Sequence, residues 1–348
     1  MKEVTTIGLD LAKNVFQVHG VDGLGEVVIR RQLRRRQVIP FFEKLPRCLI
    51  GVEACPTSHH WARELQALGH EVRIMPAAYV KPYVKRNKND AADAAAICEA
   101  VTRPTMRFVA VKSREQQSLL MVHRSRSLLI RQRTMLVNAI RAHLAELGIV
   151  APMGLRGLKA LLVVISDTED ERLPSLARNS LKSLTAALMT VEQEIASAER
   201  QILAWHRSNE ASRRLESIPG IGPIIATALI ASAADPSVFK SGRAMAAWIG
   251  LVPKQNSTGG KERLGRISKQ GDHYLRWLLV AGAMAVIRHA RKTDFATRPW
   301  LADLVRRKPA KVAAVALANR IARTAWVLLA KGGTYQQPRI TATRGRGL

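Results

Sequence analysis

From Ser113 to Leu147 the chain carries neither glycine nor proline, and this unbroken stretch divides it into two textures. Within it Val122, Leu129 and Leu136 recur at intervals of seven, and Ile140, Leu144 and Leu147 carry the apolar stripe onward. That period predicts one long helix. Gly148, Pro152, Gly154 and Gly157 interrupt it, and a second stripe then runs through Leu181, Leu184, Leu188, Val191, Ile195, Ala198, Ile202 and Trp205. Its spacings alternate between three and four, the mark of a heptad seam. Two such helices joined by a linker predict a coiled-coil arm. The seams pair either antiparallel within the chain or between subunits.

Before that stretch the texture is mixed. Strands are predicted over Val4–Leu11, Val15–Val21, Val27–Leu33, Cys48–Glu53 and Val72–Pro76, and helices over Arg36–Leu45, Ser58–Leu68 and Asp90–Val101. The first three strands follow one another through short turns, and helices then alternate with strands. This is the element order of an RNase H-like sheet. A Rossmann fold is excluded, because its GxGxxG loop is missing.

After the arm, Ile218-Pro219-Gly220-Ile221-Gly222-Pro223 leads into a helix over Ile224–Ala233. The pattern suits a helix-hairpin-helix, whose glycine turn aims backbone N–H groups at a phosphate. A plain joint between two helices is the alternative. A polar loop, Leu251–Gly271, follows, and Asp272 is placed to cap a helix over His273–Arg291. Trp248, Trp277, Trp300 and Trp326 fall on apolar helical faces and are read as core. The expected fold class is thus α/β plus all-α. An RNase H-like domain spans 1–110, a helical coiled-coil arm 111–212, a mainly helical C-terminal domain 213–335, and a basic tail 336–348.

The formal charge is +28, from 55 Lys and Arg against 27 Asp and Glu. An excess of this size points to a polyanionic partner, and so to nucleic acid. Aromatics make up only 5% of residues, which argues against a stacking platform for single strands. Beyond Asp303 there is no acid, while Arg306, Arg307, Lys308, Lys311, Arg320, Arg323, Lys331, Arg339, Arg344 and Arg346 are basic. Cys48, Cys55 and Cys98 lack metal or redox spacing and read as reduced thiols. With no signal pattern and no apolar run of spanning length, the expectation is a cytoplasmic protein that does not enter a membrane.

Against this basic background four acids stand out. Asp10 lies in the apolar run Ile7-Gly8-Leu9-Asp10-Leu11, and Glu53 ends Leu49-Ile50-Gly51-Val52-Glu53. Asp90 and Asp93 open an alanine-rich helix, and their spacing of three puts both on one face. On an RNase H-like sheet the first and fourth strands are neighbours, so these acids converge at one sheet edge. Crowded carboxylates repel unless a cation neutralises them, and oxygen-only ligands favour Mg2+ or Mn2+. Two such ions about 4 Å apart clamp the attacking and leaving oxygens of a phosphodiester. The bland alternative makes Asp90 an N-cap and the others strand-end charges. His59 and His60 are weaker candidates for the same site.

The second constellation is Asn256-Ser257-Thr258-Gly259-Gly260-Lys261, a glycine-rich loop flanked by cations. Ser257 is the candidate nucleophile, and the cations would stabilise a pentacoordinate phosphorus. Lys254, Lys261, Arg263, Arg266 and Lys269, with Gly220 and Gly222, are the candidate nucleic-acid contacts. A plain phosphate-binding loop is the alternative.

These segments together resemble the transposases of insertion-sequence family 110, branch 1111, and their relative the Piv invertase. The resemblance rests on GLDLAKN around Asp10, GVEACPTSHHWA around Glu53 and KNDAADAAAI around Asp90 and Asp93. In the second half it rests on IPGIGPIIATAL, AAWIGLVPKQNSTGGKERLGRISKQGD and YLRWLLVAGA. It implies a RuvC-like domain whose DEDD residues Asp10, Glu53, Asp90 and Asp93 bind Mg2+. It also implies a serine nucleophile in the Ser-Thr-Gly-Gly stretch, assigned to Ser257, with Thr258 and then Ser268 as other alignments. Further implications are a covalent phosphoserine link to cut DNA, donor and target DNA and a structured guide RNA as partners, a homo-oligomer (dimer or tetramer), and action at the bacterial nucleoid. Two other classes remain open: a metal-dependent junction nuclease without a covalent intermediate, and a nucleic-acid-binding protein without activity.

Overall fold

The computed structural model describes residues 3–85, 89–293 and 298–336. Its backbone groups into two compact units: Met1–Gln116 with Ala233–Lys240, and Gln117–Ser232 with Ser241–Leu348. Residues 117–212 and most of 213–335, which the sequence reading separates, share the second unit, while 111–116 and 233–240 go with the first. The basic tail, apart from Gln336, lies outside the described residues.

The first unit is built on β1 (Thr6–Leu11), β2 (Val15–Val21), β3 (Val27–Arg34), α1 (Val38–Phe42), β4 (Leu49–Glu53), α2 (Ser58–Ala67), β5 (Glu71–Met75), α3 (Ala77–Val80) and α4 (Asp90–Val101). The strands form one sheet in the order β3-β2-β1-β4-β5. β1 pairs antiparallel with β2 and parallel with β4, so it is the central strand.

Alternation along the strands divides the labour between the two faces. Ile7, Leu9, Ile50 and Val52 point to one face and bury against Val38 and Phe42 of α1 and Trp61, Ala62 and Leu65 of α2. Gly8 and Gly51, directly paired in register, point to the other face. There α4 lies on bare backbone. A Cβ on Gly8 would sit 2.1 Å from the Ala94 carbonyl oxygen and 2.4 Å from the Cys98 nitrogen, and one on Gly51 would sit 2.8 Å from Val101 Cβ. The helix meets them with Ala94, Cys98 and Val101, a stripe spaced by four and three. Burial raises the thiols of both Cys48 and Cys98 to about 11, and all three cysteines are free.

The second unit is helical. α5 (Arg114–Glu146) enters it from the first unit, followed by α6 (Leu155–Ser166), α7 (Ser175–Ser208), α8 (Glu210–Glu216), α9 (Pro223–Ser232) and α10 (Gly242–Ile249). A two-stranded sheet, β6 (Pro253–Gln255) with β7 (Leu264–Ile267), leads to α11 (His273–Thr293), α12 (Pro299–Arg307) and α13 (Ala310–Lys331). The long helices α5 and α7 pack within the chain. Ile140 and Leu144 share a cluster with Leu181 and Leu188, and Arg126 pairs with Glu199 at 2.6 Å.

What sequence reads as a linker between them holds α6, whose Leu158, Leu161 and Ile165 complete that cluster. Arg178 of α7 closes the arrangement. Its buried guanidinium donates to the carbonyls of Val164, Ile165, Asp170 and Leu173 at 3.0, 3.3, 2.6 and 3.2 Å, and also to that of Asp167. It thereby satisfies carbonyls that the end of α6 leaves without partners. His123 is likewise buried, its ring nitrogens bonded to the Tyr274 and Thr227 hydroxyls. Burial, helped by Arg126, pushes its pKa down to about 4.

Two expectations need correction here. Trp277 and Trp300 are not core: they are 51% and 42% exposed, Trp277 stacked on Tyr274 and Trp300 under Arg320. Trp248 and Trp326 are half-buried. Also, α13 is by length and composition apolar enough to cross a membrane, with a mean hydropathy of 1.4. Its small side chains Ala314, Ala318, Ala322 and Ala325 are buried, and it packs on α11 and α10, which accounts for that composition.

Gly8→Ala should cost about 1–3 kcal/mol or more, because the atoms in the way are helix backbone. Gly51→Ala should cost less, and Val101→Gly, which removes the nearest Cβ, should relieve part of the clash in the double variant. Thermal or urea melts check both. Equal stability of Gly8→Ala and wild type would contradict the seat described for α4.

Candidate active site

The carboxylates occupy the ends of the elements just described. Asp10 lies two residues beyond Gly8 and Glu53 two beyond Gly51, so each acid shares its strand's glycine face. Because α4 rests on those glycines, its first turn arrives at the same edge. Oxygens of Asp10, Asp90 and Asp93 all lie within 4.8 Å of one another. Glu53 is outside this tight group, but its charge acts on Asp10.

Asp90 is not the helix cap. That role falls to Asn89, whose side chain accepts the Ala92 N–H at 2.8 Å. The carboxylates of Asp90 and Asp93 are thus not needed to cap α4. Asp10 is half-buried, and its pKa is raised from the ordinary 3.8 to about 6. Desolvation is the first cause, followed by the charges of Asp93, Asp90 and Glu53. Such repulsion, with only oxygen donors, fits a hard divalent cation. His59 bonds to Lys112, and His60 lies 3.7 Å from Glu64.

The serine segment is a β-hairpin rather than the loop read from its composition. Pro253 pairs with Ile267 and Gln255 with Leu264, and Thr258 bridges Lys261 at the tip. Gly259 and Gly260 both have positive φ, 56° and 75°, which a tight two-residue hairpin turn requires. The hairpin is tethered at its base. Arg276 donates to the carbonyls of Ile249 and Gln270 at 2.8 and 3.1 Å, and Asn319 donates to that of Leu251 at 3.2 Å.

Ser257 is exposed just before the tip. Its Oγ accepts from Gln255 Nε2 and from the Arg263 N–H, each at 3.2 Å. Both neighbours donate, so the serine's own proton is left to be given up. Ser268, the most distant alternative, has a buried Oγ. Lys254, Lys261, Arg263, Arg266 and Lys269 are all exposed on or beside this hairpin.

The glycine turn between α8 and α9 divides in two. Gly220, at φ 94°, is packed: a Cβ would lie 2.9 Å from Val286 Cγ2 and 3.0 Å from Ile321 Cδ1. Gly222 faces open space.

A family model described as the IS116/IS110/IS902 transposase family matches residues 212–298, and a second transposase model, the DEDD type of IS110, matches residues 7–149. A probable family 20 transposase of Pseudomonas aeruginosa is 53% identical over 96% of this chain and 99% of its own. The chain belongs to the IS110/IS116/IS902 family of transposases. Transposases for the insertion-sequence elements IS1111A of Coxiella burnetii and IS1328 of Yersinia enterocolitica are 38% and 37% identical. Each match spans 97% of this chain, with 92% and 100% of the relative covered. The DEDD match contains all four carboxylates, and the other contains the glycine turn and the hairpin.

Sequence reasoning found the acids but missed what assembles them. Gly8 and Gly51 were legible as a repeated Gly-x-acid spacing on two strands.

The raised Asp10 pKa has a measurable consequence. Its folded carboxyl ionises near 6 and its unfolded one near 3.8, so the folded state binds more protons between these values. Stability is therefore lost as pH rises through that window. In EDTA at pH 7.5, Asp10→Asn should melt above wild type, and the gap should close toward pH 4. A variant no more stable than wild type at pH 7.5 would refute the crowding.

Proposed function

We propose that this chain is a DNA recombinase of an insertion sequence that cuts and rejoins strands through Ser257. In this reading Asp10, Glu53, Asp90 and Asp93 hold Mg2+, with Mn2+ as a substitute. The observation that carries it is the convergence of Asp10, Asp90 and Asp93 within 4.8 Å in a transposase-family chain. The strand order β3-β2-β1-β4-β5, with the acids at one edge, supports an RNase H-like, RuvC-like first unit.

In the proposed reaction Ser257 Oγ loses its proton and attacks phosphorus. An Oγ–P bond forms as a bridging P–O bond breaks, and the departing sugar oxygen takes a proton. Attack by the hydroxyl of a second strand reverses these steps, frees the serine and leaves the strands exchanged. Lys261 and Arg263, which flank the serine in the hairpin, offset charge building on the phosphate. A divalent cation, when bound, supplies further Lewis-acid stabilisation of that charge.

The proposed partners are donor and target DNA and a structured guide RNA, and the proposed assembly is a dimer or tetramer working at the bacterial nucleoid. The charge of +28 suits polyanions of both kinds. Kinship with the Piv invertase and a serine-type C-terminal domain belong to the same reading.

Ser257→Ala should reduce strand exchange to background while DNA affinity stays within about twofold, since one hydroxyl adds little to phosphate binding. Wild type on a nicked substrate should yield a covalent protein–DNA adduct on a denaturing gel, and the variant none. Strand exchange by the alanine variant would overturn the serine. Metal-dependent cutting with no adduct would instead favour a junction nuclease.

A further inference from the structure

The second unit contains a groove of about 1930 Å3 between the β6–β7 hairpin and α13, lined also by the start of α10 and by Trp300 of α12. Six cations line it: Arg243, Arg266, Lys269, Lys311, Arg320 and Arg323. No acid does. All six are exposed, and among the described residues none of them is ion-paired. Asp303 of α12 is committed to Arg306 and Arg307, at 3.0 and 2.5 Å.

The surface of α13 explains how the wall is made. Its buried side carries Ala314, Leu317, Ala318, Ile321 and Ala325, while Val312, Val315, Asn319, Arg320, Arg323 and Val327 line the groove. The groove face thus alternates cations with short apolar side chains. A phosphodiester strand offers the matching surface, charged phosphates separated by apolar sugar edges. Arg320 also lies 4.9 Å over the Trp300 ring, which holds its guanidinium at the wall.

An independent feature sits on the opposite wall. Lys269 has φ 55°, and among the described residues it is the single non-glycine with positive φ. That conformation is costly for a lysine, and such strain collects at functional positions. Here it places a cation at the groove where glycine would be the relaxed choice.

The occupant follows from charge. The chain's own C-terminal stretch has no acid after Asp303 and cannot complement the groove, and a second copy also carries a net charge of +28. The groove also runs along the serine hairpin. Leu264 lines it, and the preceding residue, Arg263, donates its N–H to Ser257 Oγ.

We propose that this groove holds the phosphodiester backbone of the DNA strand presented to Ser257, with Lys269 on one wall and Lys311, Arg320 and Arg323 on the other. The inference rests on the DNA-cutting reading above and adds the strand's path.

The test is fluorescence anisotropy of the full chain with a labelled DNA duplex over a range of salt concentrations. The Lys311→Ala, Arg320→Gln, Arg323→Gln triple variant should lower the slope of log affinity against log salt by about three, and Lys269→Gly by about one. Affinity of the triple variant near physiological salt should fall on the order of tenfold or more. Arg306→Gln with Arg307→Gln, on α12 and outside the groove, should stay within about twofold. Lys269→Gly should melt no lower than wild type, since glycine adopts this φ freely, so its result stands even if the triple variant folds poorly.

Wild type that binds no duplex would remove the DNA-cutting reading itself. Wild-type binding with unchanged slopes in both groove variants, or a loss equal to that of the Arg306/Arg307 pair, would remove the groove alone. Groove variants that weaken RNA of equal length but leave DNA untouched would also overturn it.

Discussion

Everything in the first unit that matters for chemistry depends on a close approach of backbones. Gly8 and Gly51 stand side by side on the two central strands and present no side chain to α4. The helix therefore comes down until the Ala94 carbonyl and Cys98 nitrogen occupy space that a Cβ would need. With ordinary side chains at these positions the helix would sit farther out, and Asp90 and Asp93 would be carried away from Asp10. The seat of α4 and the acid cluster are thus one feature. The period of two along each strand then puts the acids on the glycine face.

The same arrangement sets a conflict that folding alone does not resolve. Burial and three neighbouring carboxylates push Asp10 up to about 6, so the cluster is under electrostatic strain near neutral pH. Oxygens of Asp10, Asp90 and Asp93 nonetheless lie within 4.8 Å of one another, while Asn89 performs the capping of α4. The second unit gathers charge of the other sign, with six cations and, among the described residues, no acid lining one groove.

Much of this was legible in the sequence. All five strands of the sheet were readable from alternation and turns, with ends within two residues, and both long helices were readable from their apolar period and freedom from glycine and proline. Those signals are local. What escaped was decided by distant contacts. The interval after Gly148 looks like a linker because of its glycines, yet it holds α6, which Arg178 caps through carbonyls contributed from both sides. The polar stretch around Ser257 has too few apolar residues to show a strand period, and its hairpin comes from two adjacent left-handed glycines and a base tied down by Arg276. Trp277 and Trp300 were misplaced because a helical period finds a face without saying whether anything covers it. In the site, spacing put Asp90 and Asp93 together, but only the glycine pair explains how α4 comes close enough for them to meet Asp10.

The central claim is that α4 delivers half of a cation site whose other half lies on β1. Mn2+ binding to the full-length chain, followed by the electron paramagnetic resonance of the free ion, tests it most directly. The account predicts that wild type takes up Mn2+ and that Asp93→Asn, with an unchanged circular dichroism spectrum, binds it at least about tenfold more weakly, as loss of one charged ligand should produce. Equal Mn2+ affinity in wild type and Asp93→Asn would contradict it.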